Sequence, residues 1–134
     1  MGSKQSSKDF NNEEEYLYRM IHSSWIDQGN VMSVAFKPSR KDNNKLSTFR
    51  SSKINPKEAY ENHIKNVNNN YQGVLANTIK EVKSDQSLPL IDDEEEHGKG
   101  HVSVDFESLS NGQKNKVSRK LRDYAFERSW QYKP

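Results

Sequence analysis

Arg19, His22, Ser33 and His101 are the residues of this chain whose types could assemble a catalytic centre. A guanidinium grips phosphate through its planar fork, and an imidazole moves protons or orients a hydroxyl near neutral pH. A serine hydroxyl supports either role. Brought together, the four would suit a compact enzyme. Left apart, Arg19 pairs with an acid at the surface and His22 closes a strand. A second concentration is the stretch Asp92-Asp93-Glu94-Glu95-Glu96-His97-Gly98-Lys99-Gly100-His101, with five carboxylates and two imidazoles. Hard cations accept carboxylate oxygens, but this spacing matches neither an EF-hand nor a zinc signature. It reads as a solvated loop, so we expect no metal and no cofactor.

The third group is basic. Residues 37 to 57 carry Lys37, Arg40, Lys41, Lys45, Arg50, Lys53 and Lys57 against one acid, Asp42. A second block has Lys114, Lys116, Arg119, Lys120, Arg122, Arg128 and Lys133 against Asp123 and Glu127. Arg40, Lys41, Lys45, Arg50, Lys116, Arg119 and Lys120 are therefore the candidates for touching phosphates or an acidic partner. Phe49, Tyr124, Phe126, Trp130 and Tyr132 lie among these charges. Cations plus stacking rings suit RNA or single-stranded DNA. The net charge is only +2, so basic and acidic loops could equally neutralise one another.

Other chemistry lacks motif support. Without cysteine there is no disulfide, thiolate zinc site or thiol catalysis. There is no Walker loop, dinucleotide glycine fingerprint, Gly-x-Ser-x-Gly elbow or His-Glu-x-x-His. No apolar run approaches the roughly 20 residues of a membrane helix, and no signal-peptide pattern is present. We therefore expect no membrane contact and a cytoplasmic location. Gly2 and Ser6 fit a myristoylation pattern only loosely.

These residues must be held by a thin core, because only 31% of the 134 residues are hydrophobic and mean hydropathy is -1.15. Residues 1 to 12 are small and polar and read as a disordered tail before one domain over 13 to 134. Alternation predicts strands at 16 to 22, 31 to 36 and 46 to 50. Asn55-Pro56-Lys57-Glu58 is a capped helix start, with the helix running to about 68. The stretch 73 to 83 reads as the longest, central strand, 88 to 91 as a brief extended piece, and 101 to 106 as another strand. From 113 to 130, Val117, Leu121, Tyr124 and Ala125 form the apolar stripe of a closing helix. The order favours an α+β domain: a mostly antiparallel sheet of about five strands with two helices packed on one face.

Leu17-Tyr18-Arg19-Met20-Ile21-His22 with Ser33-Val34-Ala35-Phe36 resembles a group of small bacterial proteins that pair a Leu-Tyr-Arg-x-Ile-His strand with a Ser-x-Ala-Phe strand. Gly73-Val74 and His101 extend the likeness over residues 16 to 130. The resemblance implies a bacterial, defence or toxin-antitoxin type setting, and so a binding or accessory module acting through a protein partner. The Tyr-Arg strand is also similar to ADP-ribosyltransferase-type folds. On that likeness Arg19 would hold a phosphate, His22 or His101 would orient a ribose, and Ser33 or Ser47 would support the site. A compact enzyme of that type, or of ribonuclease type, is the alternative, and a nucleic-acid binder the third reading.

Overall fold

The computed structural model describes residues 10 to 134. Strand β1 (Tyr16–His22) shows why the domain is layered: it buries Leu17 and Ile21 on one face and Tyr18 and Met20 on the other. Its neighbours are β4 (Lys45–Arg50) and β5 (Tyr71–Thr78). β7 (His101–Asp105) and the short β6 (Leu90–Asp92) complete a five-stranded sheet of order β5-β1-β4-β7-β6. Every neighbouring pair is antiparallel. The α+β class and the five-stranded antiparallel sheet agree with the sequence reading.

The helices lie on both faces rather than one. Helix α1 (Pro56–Asn66) begins where Asn55 Oδ1 accepts the Glu58 N–H at 2.8 Å. It lays Ala59 and Tyr60 against Tyr18, Met20, Val74 and Ala76. Helix α4 (Asn111–Arg128) starts from a capping box of Ser110 and Gln113. It packs Val117, Leu121 and Ala125 on the opposite face, with Leu17, Ile21, Leu75, Val102 and Val104. Two-sided apolar strands demand cover on both sides, which a one-sided arrangement leaves unmet. The stripe of α4 is also narrower than expected, since Tyr124 is exposed.

Two strand expectations are corrected. The stretch 31 to 36 contributes only its first residue to a hairpin of β2 (Ile26–Asp27) and β3 (Asn30–Val31). Ser33–Phe36 then forms a 3₁₀ turn that buries Ala35 and Phe36 and exposes Met32 and Val34. The backbone there is satisfied locally instead, Ala35 N–H donating to Met32 O at 3.1 Å and Lys37 N–H to Val34 O at 3.2 Å. The stretch 73 to 83 is a strand only to Thr78. A capping box of Thr78 and Glu81 starts helix α2 (Ile79–Lys83). β5 also lies at the sheet's edge, not its centre. The C-terminal segment covers that edge: Val74 N–H donates to Tyr132 O at 2.9 Å and Gln131 N–H to Val74 O at 2.8 Å. Residues 1 to 9 of the expected tail, with the Gly2 and Ser6 pattern, lie outside the described residues. Phe10 packs on the core, with the Arg50 guanidinium 4.4 Å from its ring.

Candidate anion-binding cleft

β1 and β4 pair at Leu17↔Arg50 and Tyr18↔Phe49, and from Arg19 onward they part. β4 meanwhile stays paired to β7 as far as Lys45↔Asp105. Into the gap reaches Arg19, whose Nε donates to Ala35 O at 2.7 Å and Nη1 to Ser47 O at 3.1 Å. The guanidinium thus bridges the 3₁₀ turn and β4, and leaves Nη2 without a hydrogen-bond partner among the described residues. Above it opens a cleft of about 340 Å³. Met20, Leu46 and Val34 contribute apolar wall, and Trp25, Phe49, His63 and Tyr71 contribute rings. Lys37, Ser39, Asp42 and Lys45 stand at its rim.

The electrostatics of this cleft are unusual for the molecule. Arg50 pairs with Glu15 at 2.8 Å and Arg128 with Glu81 at 2.6 Å, so each of these enclosed guanidiniums faces a carboxylate. Arg19 has no ion pair among the described residues. Burial pushes its pKa down to about 10, with Tyr71 and Asp42 only partly offsetting this. By accessible surface Arg19 is half-buried, so its cation gives up part of its hydration with no ion pair to offset the loss.

The charges around it follow the same division. The C-terminal part of the first basic block is neutralised internally: Arg50 by Glu15 with Asp92 at 3.9 Å, and Lys53 by Glu94 at 3.0 Å. Arg50, a candidate contact residue, is buried and so withdrawn from any surface. The N-terminal part is not neutralised. Lys37 donates to Asn115 at 2.7 Å and Lys114 to Asn44 at 2.8 Å, both uncharged acceptors. Arg40 and Lys41 are exposed and make no side-chain bond among the described residues. A second cavity of about 340 Å³ shares Val34, Lys37, Pro38 and Ser39 with the cleft and adds Arg40 and Lys114. The basic rim therefore continues past Arg19's cleft.

The four residues proposed as a catalytic group do not meet. His22 caps a 3₁₀ turn through Nδ1, 3.1 Å from Ser24 N, and lies beside the cleft with its ring 5.1 Å from Tyr71. His101 is at the other end of a row of rings, separated from His22 by Phe49, His63 and Tyr71. Its Nδ1 is 2.6 Å from Asp93 Oδ1, and Ser103 Oγ donates to Asp93 Oδ2 at 2.6 Å. Burial lowers the His101 pKa despite the Asp93 contact. Ser33 belongs to a separate cavity with Arg119 and Arg122. Ser47 contributes its carbonyl to Arg19. The basic face of α4 is also apart from the cleft: Lys116 and Arg119 are exposed, and Lys120 pairs with Asp85 at 2.8 Å.

The acidic stretch is not a plain solvated loop. Glu94–His97 is a short helix, α3, and Asp92 and Asp93 point inward to Arg50 and His101. No group of three or more metal-ligating side chains occurs among the described residues.

His63 is the site residue that sequence reading passed over. It stands on α1 between Tyr60 and Ile64, with no motif around it to mark it. In the fold it sits between Phe49 and Tyr71, with ring centroids 6.4 and 4.4 Å away. Its Nε2 is buried without a hydrogen-bond partner among the described residues. Burial first, then the charges of Arg19 and His101, push its pKa down to about 4, so the ring is neutral at pH 7. Comparison of the chain with protein-family models, curated proteins and solved structures finds no match.

Proposed function

We propose that this domain is a binding module that works by contact, seating an anionic group of its partner at Arg19 in the cleft between β1 and β4. The observation that carries this reading is the half-buried guanidinium without an ion pair among the described residues, set among uncompensated cations. Elsewhere in the fold an enclosed arginine has its carboxylate; here the partner supplies the missing charge. A protein partner in a conflict setting and a nucleic acid make the same demand on this cleft. The enzyme reading loses ground because Arg19, His22, Ser33 and His101 do not share one pocket.

Thermal unfolding of the wild type and Arg19→Met in the presence of polyphosphate tests the proposal. A ligand at about 100 times its dissociation constant stabilises by about 2.7 kcal/mol. The wild type is expected to gain that stabilisation at low salt and lose it as salt rises. Arg19→Met is expected to gain clearly less, since only Lys37, Arg40, Lys45 and Lys114 remain to meet the polyanion, and to be no less stable than wild type without polyanion, because an uncompensated charge has gone. Equal responses of the two proteins, or no response of the wild type, would refute the reading.

A further inference from the structure

We propose that the cleft accepts one nucleotide unit of single-stranded nucleic acid, phosphate at Arg19 and Lys45 and base against the rings of Trp25, Phe49 and Tyr71. This rests on the binding-module reading above and names the anion's chemical class.

Three observations favour a nucleotide over an acidic peptide. The first is the wall. A carboxylate side chain needs cations and hydrogen-bond donors, and has no use for four rings. Here Trp25 lies 5.0 Å beneath the Arg19 guanidinium, and Tyr71 is 6.5 Å from Trp25 at an interplanar angle of 81°. Together with Phe49 and His63 these rings give the cleft an aromatic lining against which a flat base can pack. Rings beside a cation are the combination that binds a base and its phosphate together.

The second is His63. Its neutral imidazole adds no charge for a second acid, yet brings an unpartnered buried nitrogen to the same wall. A base edge carries uncharged donors and acceptors in the ring plane, which suits that nitrogen. Reaching it requires the His63 ring itself to turn towards the cleft, with Tyr71 staying in place as a stacking surface.

The third is size and continuation. About 340 Å³ lies near the small end of ligand pockets, room for one unit and not for a duplex. The adjoining cavity with Lys37, Arg40 and Lys114 carries the positive charge onward, as a continuing phosphate backbone needs.

Fluorescence anisotropy with four labelled probes of matched charge decides this: single-stranded RNA, an abasic strand, a hairpin duplex and polyglutamate. The full-length wild type is expected to bind the single strand at least ten-fold tighter than each of the others. Its log-log salt slope should fall by about 0.7 in Arg19→Met, one phosphate's worth for a single strand. Trp25→Ala and Tyr71→Ala should each lower single-strand affinity about ten-fold, the loss of one stack. His63→Phe should lower affinity for the single strand while leaving the abasic strand unchanged, a pattern general misfolding does not produce. If the abasic strand, duplex or polyglutamate binds as tightly as RNA, the nucleotide assignment is wrong and the binding-module reading stands. If no probe binds, both fall.

Discussion

Replacing Glu15 by alanine is expected to cost the domain about 3 kcal/mol, through the enclosed pair it makes with Arg50. The Glu15 carboxylate accepts from Arg50 Nε at 3.0 Å, from Arg50 Nη2 at 2.8 Å and from Ser52 N–H at 2.9 Å. Both side chains are under a tenth exposed. Removing one partner of such a pair costs about 3 to 5 kcal/mol, chiefly because a charge is left enclosed. Two features place this case at the low end. Asp92 stays 3.9 Å from Arg50 and keeps part of the compensation. Ser52 is exposed, so its N–H turns to water. For a domain of this size, 3 kcal/mol corresponds to a fall in Tm of about 10 °C.

The pH dependence separates this mechanism from simple loss of packing. Burial raises the Glu15 pKa, but hydrogen bonds from Arg50 and Ser52 outweigh it and hold the carboxyl below its ordinary 4.5. A carboxyl depressed by folding stabilises above the unfolded pKa of about 4.3 and loses that stabilisation as pH falls through the folded value. Denaturant unfolding of wild type and Glu15→Ala at pH 7 and pH 3 should therefore show a gap that is wide at pH 7 and narrower at pH 3. Glu81 and Glu94 are depressed in both proteins and cancel in the difference. A gap under about 1 kcal/mol at pH 7, or one of equal width at both pH values, would show that the pair does not act as described.

Gly73→Ala should detach the C-terminal cover of β5, because a Cβ there would meet Tyr132 O at 2.6 Å and the Trp130 ring at 3.0 Å. The expected cost is about 1 to 3 kcal/mol of overpacking, with faster amide exchange at Val74 and concentration-dependent association through the bared edge; unchanged exchange would contradict it. His63 predicts a second, acid-side slope. Its imidazole titrates near 6.5 when unfolded and about 4 when folded, so the unfolded chain binds the proton first and stability falls from pH 6.5 towards 4. The loss is on the order of 2 to 3 kcal/mol, and His63→Phe should flatten it; a variant with the wild-type slope would move the effect elsewhere.

Much of the fold follows from local pattern. The two-sided alternation of Tyr16–His22, the Asn55-Pro56 cap and the closing amphipathic helix specify their elements with information carried within a dozen residues. The same holds for the lack of cysteine and of a Walker loop and for the opposed charge blocks. What pattern could not decide was competition for partners. Val31 to Phe36 alternates like a strand and still turns as a 3₁₀ segment, its N–H groups bonded within the turn and Ala35 O taken by Arg19. Ile79 to Lys83 has strand-like residues, yet the Thr78–Glu81 capping box satisfies the backbone locally and ends β5.

The site divides in the same way. Arg19 is recognisable from sequence as a chemically capable residue, but its importance comes from what the fold withholds. Arg50 received Glu15, 35 positions away, while Arg19 received two backbone carbonyls and no acid. Nothing in the spacing distinguishes these two arginines. His63 reads as one polar position on a helix, and only the packing of α1 over β1 and β5 sets it among rings with a nitrogen unpartnered among the described residues. Sequence by itself therefore determined the elements and the kinds of charge this protein carries. Tertiary structure decided which charges cancel and which stay uncompensated, since pairing depends on distances between residues far apart along the chain.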